Sequence, residues 1–315
     1  MRDLRIVFMG TPDFAVGILD KLIETNMNVV GVITAPDKPA GRGRKLMQSA
    51  VKKYALLQDL TILQPSNLKD ENFLKELKSL HANLQIIVAF RMLPKVVWEM
   101  PEYGTFNLHA SLLPDYRGAA PINWAIINGE GKTGVTTFYI DEHIDTGEII
   151  ASLEIDTANN ETAGTLHDKL MNLGKELVVS TAQLISKGDI KTRVQATVSS
   201  AKDAPKLTPE NTRIDWTASA EKIDSFIRGM SPYPAAWSML ENGGEQVKVK
   251  IYKASVENET HNHEIGEVFA ARKTLRIAIK IGFVNIIEIQ LPGKRKMEVS
   301  ALLNGYSFHK NAKLL

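Results

Sequence analysis

The chain has 315 residues, 44% hydrophobic and 23% charged, with 38 Lys+Arg against 36 Asp+Glu and a net charge of +2. These globular values exclude a disordered chain and a strongly basic nucleic-acid packager, and the length suits two domains. There is no cysteine, so disulfides, thiolate metal sites and a cysteine nucleophile are excluded, and a reducing, cytoplasmic location is expected.

The first apolar run breaks at Gly10, and no stretch approaches the ~18 apolar residues of a membrane helix, so no membrane partner is predicted. Runs at 4–9, 28–34 (NVVGVIT), 84–90 (LQIIVAF) and 104–110 (GTFNLHA) predict strands buried on both faces, as in a parallel sheet. Between the first two, Thr11 is expected as N-cap and Pro12 as first residue of a helix. Its Ala15, Leu19, Leu22 and Ile23 fall on one face. A second helix is predicted over 70–81, with Phe73, Leu74 and Leu77 inward. This alternation predicts a doubly wound α/β domain with a predominantly parallel sheet.

Further strands are predicted at 135–140 and 149–155, joined by DEHIDTGE, and a long helix over 165–187. A polar stretch from Gly188 to Lys206 reads as a linker. A helix near 219–230 follows. From Val247 come short β-rich runs, VKVKIYKASV, LRIAIKIGF and VNIIEIQL, punctuated by Gly, Asn and Pro. They predict a small antiparallel barrel or sandwich. From Lys206 onward, cations outnumber acids by four, a mild tilt towards an anionic partner. The expected division is a catalytic domain 1–188, a linker 189–206 and a second domain 207–315.

The chemistry concentrates in Phe106-Asn107-Leu108-His109-Ala110-Ser111-Leu112-Leu113-Pro114. Residues two apart on a strand share a face, so Asn107, His109 and Ser111 point one way. Three polar residues on one face of a buried strand are costly without partners. They also stand at the strand's C-terminal end, where open α/β sheets bind ligands. The alternative is a hydrogen-bonded core histidine with a capping serine. In Ile140-Asp141-Glu142-His143-Ile144-Asp145-Thr146-Gly147 a carboxylate could reach His109 and fix its tautomer; a solvated turn is equally consistent. Tyr116-Arg117-Gly118-Ala119-Ala120-Pro121 is small enough for a ligand to approach, with Pro121 suited to a helix start.

Asp37-Lys38-Pro39-Ala40-Gly41-Arg42-Gly43-Arg44-Lys45 carries four cations and two glycines. It can follow a phosphate backbone or be a solvated face. Gly10 to Ala15 lacks G-x-G-x-x-G, which argues against a nicotinamide cofactor. His261-Asn262-His263-Glu264 looks like a metal tract but lies in a polar turn and is read as surface; no metal is expected.

These residues carry a resemblance. FMGTPDFA (8–15), PDKPAGRGRKL (36–46), NLHASLLPDYRGAAPINWAI (107–126), IDTGEI (144–149) and KLTPENTRIDW (206–216) resemble the methionyl-tRNA formyltransferases over essentially the full length. The resemblance implies a Rossmann-like formyltransferase domain and a C-terminal OB-like β-barrel. It implies 10-formyltetrahydrofolate as formyl donor, initiator Met-tRNA as acceptor and a monomer without metal. Its catalytic trio maps onto Asn107, His109 and Asp145, and its folate-contacting segment onto Ser111, Leu112, Leu113 and Pro114. Its tRNA-contacting loop maps onto Lys38, Arg42, Arg44 and Lys45. Further cations are Lys248, Lys250, Lys294, Arg295 and Lys296 in the second domain. One departure is Phe90-Arg91, where relatives often carry Tyr-Gly at the border of the pterin pocket. A sugar-nucleotide N-formyltransferase would share the folate site and trio; the Gly-Arg-Gly-Arg-Lys loop favours the tRNA enzyme.

Overall fold

All five residues of β1 (Ile6–Gly10) are buried, as a strand covered on both faces requires. In the computed structural model, which describes residues 1–40, 45–196 and 201–315, the chain divides into two compact units. The first comprises 1–118, 132–155 and 167–203, the second 119–131, 156–166 and 204–315.

After β1 come α1 (Asp13–Glu24), β2 (Val29–Ile33), the short ribbon β3 (Lys38–Ala40) and β4 (Lys45–Met47), α2 (Ala50–Leu57) and β5 (Ile62–Leu63). The chain continues through α3 (Glu71–Ser79), β6 (Leu84–Val88), α4 (Lys95–Trp98), β7 (Thr105–His109) and β8 (Arg117–Gly118). Then follow α5 (Pro121–Ile127), β9 (Lys132–Tyr139), β10 (Ile149–Asp156), α6 (Ala163–Lys187) and β11 (Asp203–Ala204). The main sheet has the order β10-β9-β7-β6-β1-β2-β5. The five strands from β7 to β5 run parallel, and β9 runs antiparallel to β7. The predominantly parallel sheet expected from the apolar runs is therefore present. Strand order reverses between β1 and β6, which opens the crevice at the strands' C-terminal ends.

One face of the sheet, with Val7, Met9, Ile33 and Ile87, packs against Phe73, Leu77 and Val97 of α3 and α4. Asn107 lies beside Ile87 in register, so Asn107 and His109 share that face. The first helix starts one residue later than expected. Pro12 is the N-cap, in extended conformation with no side-chain cap bond, and Asp13 opens α1. The proline ring disfavours helical backbone at the residue before it, which holds Thr11 outside. The predicted helix over 70–81 loses both ends. Asp70 becomes the cap, accepting from Asn72 N and Phe73 N, and His81 turns left-handed at φ 48°. The helix α2 and the short β5 are additions to the elements expected from the sequence.

The second unit contains α5, which begins at Pro121 as the sequence suggested, and α7 (Ala220–Met230), capped by Ser219. Asn123 Nδ2 joins the two helices by donating to Gly229 O at 2.7 Å. Its strands are β12 (Ala236–Asn242), β13 (Glu245–Glu257), β14 (Val268–Ala271), β15 (Thr274–Ala278), β16 (Phe283–Gln290), β17 (Met297–Glu298) and, after α8 (Val299–Leu302), β18 (Lys313–Leu314). They form an antiparallel sheet, β14-β15-β16-β13-β12-β18, with β17 beside β16. The edges nearly meet: Glu267 bridges to Lys313, and Leu314 N donates to Gly266 O at 2.8 Å. Gly266 permits this approach, since a Cβ there would stand 2.1 Å from Leu314 O. The result is a nearly closed barrel, consistent with an OB-like fold. Its core includes Trp216, Ile223, Ile227, Val249, Ile251, Ile277 and Ile286. The Trp216 indole satisfies its one donor on Ser238 Oγ at 2.9 Å.

Candidate active site

His109 closes β7 and is 6% exposed. Its Nε2 lies 2.8 Å from Tyr116 O. A carbonyl only accepts, so Nε2 carries the proton and donates. Nδ1 then faces the carboxylate of Asp145, whose Oδ2 stands 3.8 Å away. That oxygen also accepts from Gly118 N at 2.9 Å. Asn107, two residues back on the same face, is half-buried, and its carboxamide makes no hydrogen bond with any described residue. A carboxamide left open beside a held imidazole is free to donate to an incoming group.

The 141–147 loop assigns its acids separately. Asp141 stays local, accepting from His143 N at 2.9 Å and Thr146 Oγ1 at 2.7 Å. Glu142 pairs with Lys95 at 2.9 Å on the surface. Asp145 alone turns towards His109. Gly147 makes the turn possible, because a Cβ there would lie 1.7 Å from Tyr139 O. Left-handed backbone clusters around this crevice: Ala89 (φ 48°), Tyr116 (φ 61°) and Asp145 (φ 55°). Such conformations cost about 1–3 kcal/mol each and collect at functional sites.

Ser111, Leu112, Leu113 and Pro114 follow directly, with a cis Leu113–Pro114 bond. Ser111 and Leu113 are buried within the protein itself. Ser111 Oγ donates to Asp115 O at 2.6 Å, and Leu113 packs with Phe138 and Ile149. Buried Thr136 ties the segment down, donating to Ser111 O at 2.7 Å and accepting from Leu113 N at 3.3 Å. Leu112 and Pro114 are half-buried. Nearby, Phe90 packs against the apolar cluster under α3 and α4, and Arg91 Nη1 donates to Ser66 O at 2.9 Å.

Of the basic loop, Lys38 is exposed. Arg42, Arg44 and the Lys45 side chain lie outside the described residues. The loop's base is fixed: Lys52 Nζ donates to Asp37 Oδ2 at 2.6 Å and Gln64 Nε2 to Asp37 Oδ1 at 2.9 Å. The Gln64 and Lys52 hydrogen bonds hold the Asp37 carboxyl below its usual range. In the barrel, Lys248 Nζ sits 3.8 Å from the Trp237 ring centre and Lys250 Nζ donates to Pro234 O at 3.1 Å. Lys296 pairs with Glu288 at 2.7 Å, and Lys294 and Arg295 are exposed.

Sequence inspection missed Gln195. It is 8% exposed within the polar stretch after α6 and bonds to Arg117 and to the backbone of the 145–147 loop. That stretch also bridges Arg193 to Ile149 and runs beside Asp115 and Tyr116, through Lys202. Flanked by Val194 and Ala196, it carries no signal in the sequence that marks it.

A formyl transferase family model matches residues 4–182, and a formyl transferase C-terminal domain model matches 206–307. The chain belongs to the formyl transferase family. The methionyl-tRNA formyltransferase of Flavobacterium johnsoniae is 60% identical, with 100% of both chains covered. That of Bacteroides fragilis is 52% identical over 96% of this chain and 95% of its own. Two solved structures share the architecture. A sugar 3N-formyl transferase, WlaRD, solved with dTDP and 5-N-formyl-THF, covers 94% of this chain and 100% of its own at TM-score 0.64 and 22% identity. HypX from Aquifex aeolicus in complex with tetrahydrofolic acid covers 96% and 47% at TM-score 0.66 and 20% identity. Among the described residues no helix is long and apolar enough to cross a membrane, and no group of three metal-ligating side chains occurs.

Proposed function

We propose that the chain transfers the formyl group of 10-formyltetrahydrofolate to the α-amino group of methionine on initiator Met-tRNA. One observation carries the chemistry: the open Asn107 carboxamide and the held His109 imidazole share one strand face, with Asp145 3.8 Å from Nδ1. Full-length similarity to methionyl-tRNA formyltransferases supports the acceptor.

In this reading the neutral amine attacks the formyl carbon. A carbon–nitrogen bond forms, the bond from that carbon to folate N10 breaks, and one proton passes from the amine to N10. The products are formyl-Met-tRNA and tetrahydrofolate. The tetrahedral intermediate carries an oxyanion, to which Asn107 Nδ2 donates. Nε2 of His109 is already committed to Tyr116 O, so Nδ1 is the nitrogen left to serve the reacting atoms. Asp145 faces that same nitrogen. At 3.8 Å the two do not hydrogen-bond; Nδ1 keeps its lone pair for a proton from the reacting amine, and the carboxylate steadies the imidazolium that results. Ser111, Leu112, Leu113 and Pro114 shape the folate pocket chiefly through their fixed backbone.

The division of labour places folate and chemistry in 1–188 and RNA contact in the basic loop and in 207–315. Lys38, Arg42, Arg44 and Lys45 with Lys248, Lys294 and Arg295 meet phosphates, so affinity falls steeply with salt. The enzyme acts as a cytoplasmic monomer, which light scattering tests against 34.9 kDa.

The deciding assay supplies 10-formyltetrahydrofolate with Met-tRNA and a 4-amino-sugar nucleotide as parallel acceptors. Formylated Met-tRNA, lost in His109→Ala, is expected. Formylated sugar without tRNA product overturns the acceptor and keeps the chemistry.

A further inference from the structure

The geometry points to Gln195 as a positioning residue that sets Asp145 against His109 through a clamp completed by Arg117. The inference rests on the reading of Asp145 as a member of the reacting site. Three observations carry it. First, the Gln195 carboxamide is fully used, with both ends on the site: Nε2 donates to Asp145 O at 2.9 Å and to Gly147 O at 2.8 Å. Its Oε1 accepts from Arg117 Nε at 3.2 Å and Nη2 at 2.6 Å. Second, Gln195 is 8% exposed, so these bonds are shielded from competing water, and losing one partner strands the other. Third, the residue between the two carbonyls it holds follows Asp145 in left-handed backbone, φ 55°. Nothing in the Asp-Thr-Gly sequence alone dictates that turn.

The clamp closes a ring. Arg117 precedes Gly118, whose N–H holds the Asp145 carboxylate at 2.9 Å. Tyr116, one residue earlier, holds His109 Nε2 by its carbonyl. Arg117 binds Gln195, and Gln195 binds the Asp145 backbone. Asp145 is thus gripped at its carboxylate and its carbonyl from two chain segments far apart in sequence. Both grips return to 116–118, the segment that orients the imidazole. Glutamine suits the position because one side chain must donate twice and accept twice. Glutamate would set a carboxylate against two carbonyls, and methionine would fill the space with no hydrogen bond at all.

The experiment is a double-mutant cycle in the full chain, with kcat, both KM values and thermal melts recorded for Gln195→Met, Asp145→Asn and the double variant. The expected result is a kcat loss of about tenfold to a hundredfold in Gln195→Met, the cost of misplacing a reacting group by about 1 Å. KM for both substrates stays put, and Asp145→Asn carries no further loss when Gln195→Met is added. An equal fold loss in both backgrounds, or a lower melting temperature with unchanged kcat, reduces Gln195 to a structural role and overturns the clamp. Gln195→Glu, which keeps the shape and the Arg117 pair, provides the same cycle if the methionine variant does not fold. His109→Ala separates the two failures: wild-type rate there sinks the site itself, whereas an inactive His109→Ala beside a fully active Gln195→Met sinks the clamp alone.

Discussion

Two histidine-bearing regions look alike in sequence and differ in what they leave open. His261-Asn262-His263-Glu264 has the denser set of metal-like ligands. In the barrel those ligands are consumed locally. His261 Nε2 donates to Gly282 O at 2.9 Å and its Nδ1 accepts from His263 N at 3.1 Å. Its ring packs on Phe283 at 4.6 Å, and His263 pairs with Glu267 at 3.3 Å. His109 has one nitrogen fixed and the other turned to a carboxylate, beside a carboxamide with no described partner. The lesson is that a site shows itself by polar groups that are held yet unspent, and not by how many of them the sequence crowds together.

The comparison breaks most decisively on the rate of formyl transfer. His109→Ala is expected to lose on the order of 10²–10⁴-fold in kcat. Asn107→Ala should lose on the order of 10²–10³-fold, the effect of one oxyanion donor, with little change in melting temperature. Wild-type turnover in either would end the special standing of this strand end. Gly147→Ala sharpens the point from the backbone side. A Cβ 1.7 Å from Tyr139 O must displace the loop, at about 1–3 kcal/mol, and turnover should fall with it because Asp145 moves. On the barrel side, His261→Ala should leave turnover untouched and cost about 1 kcal/mol in a denaturant melt, from lost hydrogen bonds. A large kcat effect there would erase the contrast.

The smallest effect concerns the base of the basic loop. The Asp37 carboxyl is held below its ordinary value by Gln64 and Lys52. A depressed folded-state pKa adds stability that is present above the unfolded value near ~3.9. It is lost as pH falls through the folded value. Wild type should therefore melt higher than Asp37→Asn near neutrality, with the gap closing below about pH 4. A gap that widens on acidification contradicts the assignment.

What the sequence made legible follows the range of the forces involved. Asn107 and His109 could be picked out because strand alternation is local and a polar face on a buried strand is an anomaly in a short window. The local pattern did not separate Asp145 from Asp141 and Glu142, and the family resemblance alone singled it out, since the choice depends on Gly118 and Lys95, which are distant in sequence. Gln195 was invisible for the same reason: its partners lie 78, 50 and 48 positions away. In the barrel the long strands stood out, while β12 and β14 did not. The β12 strand mixes buried Ser238 with half-exposed Trp237 and Met239, which blurs its alternation, and β14 spans only four residues. The resemblance assigns Ser111 and Leu113 to a folate-contacting segment, and their side chains are spent inside the protein, which leaves the backbone to make such a contact.

The partner that orients His109 is a main-chain oxygen, Tyr116 O, and the group holding the Asp145 carboxylate is a main-chain nitrogen, Gly118 N. Proline at 118 aside, neither can be deleted by changing a side chain. Evolution and library design therefore meet an uneven terrain here. At residue 116 the side chain answers to its own burial, at 4% exposure, and not to the bond its carbonyl makes. Changes that alter the path of the backbone through 116–118 break both contacts whatever side chain they bring.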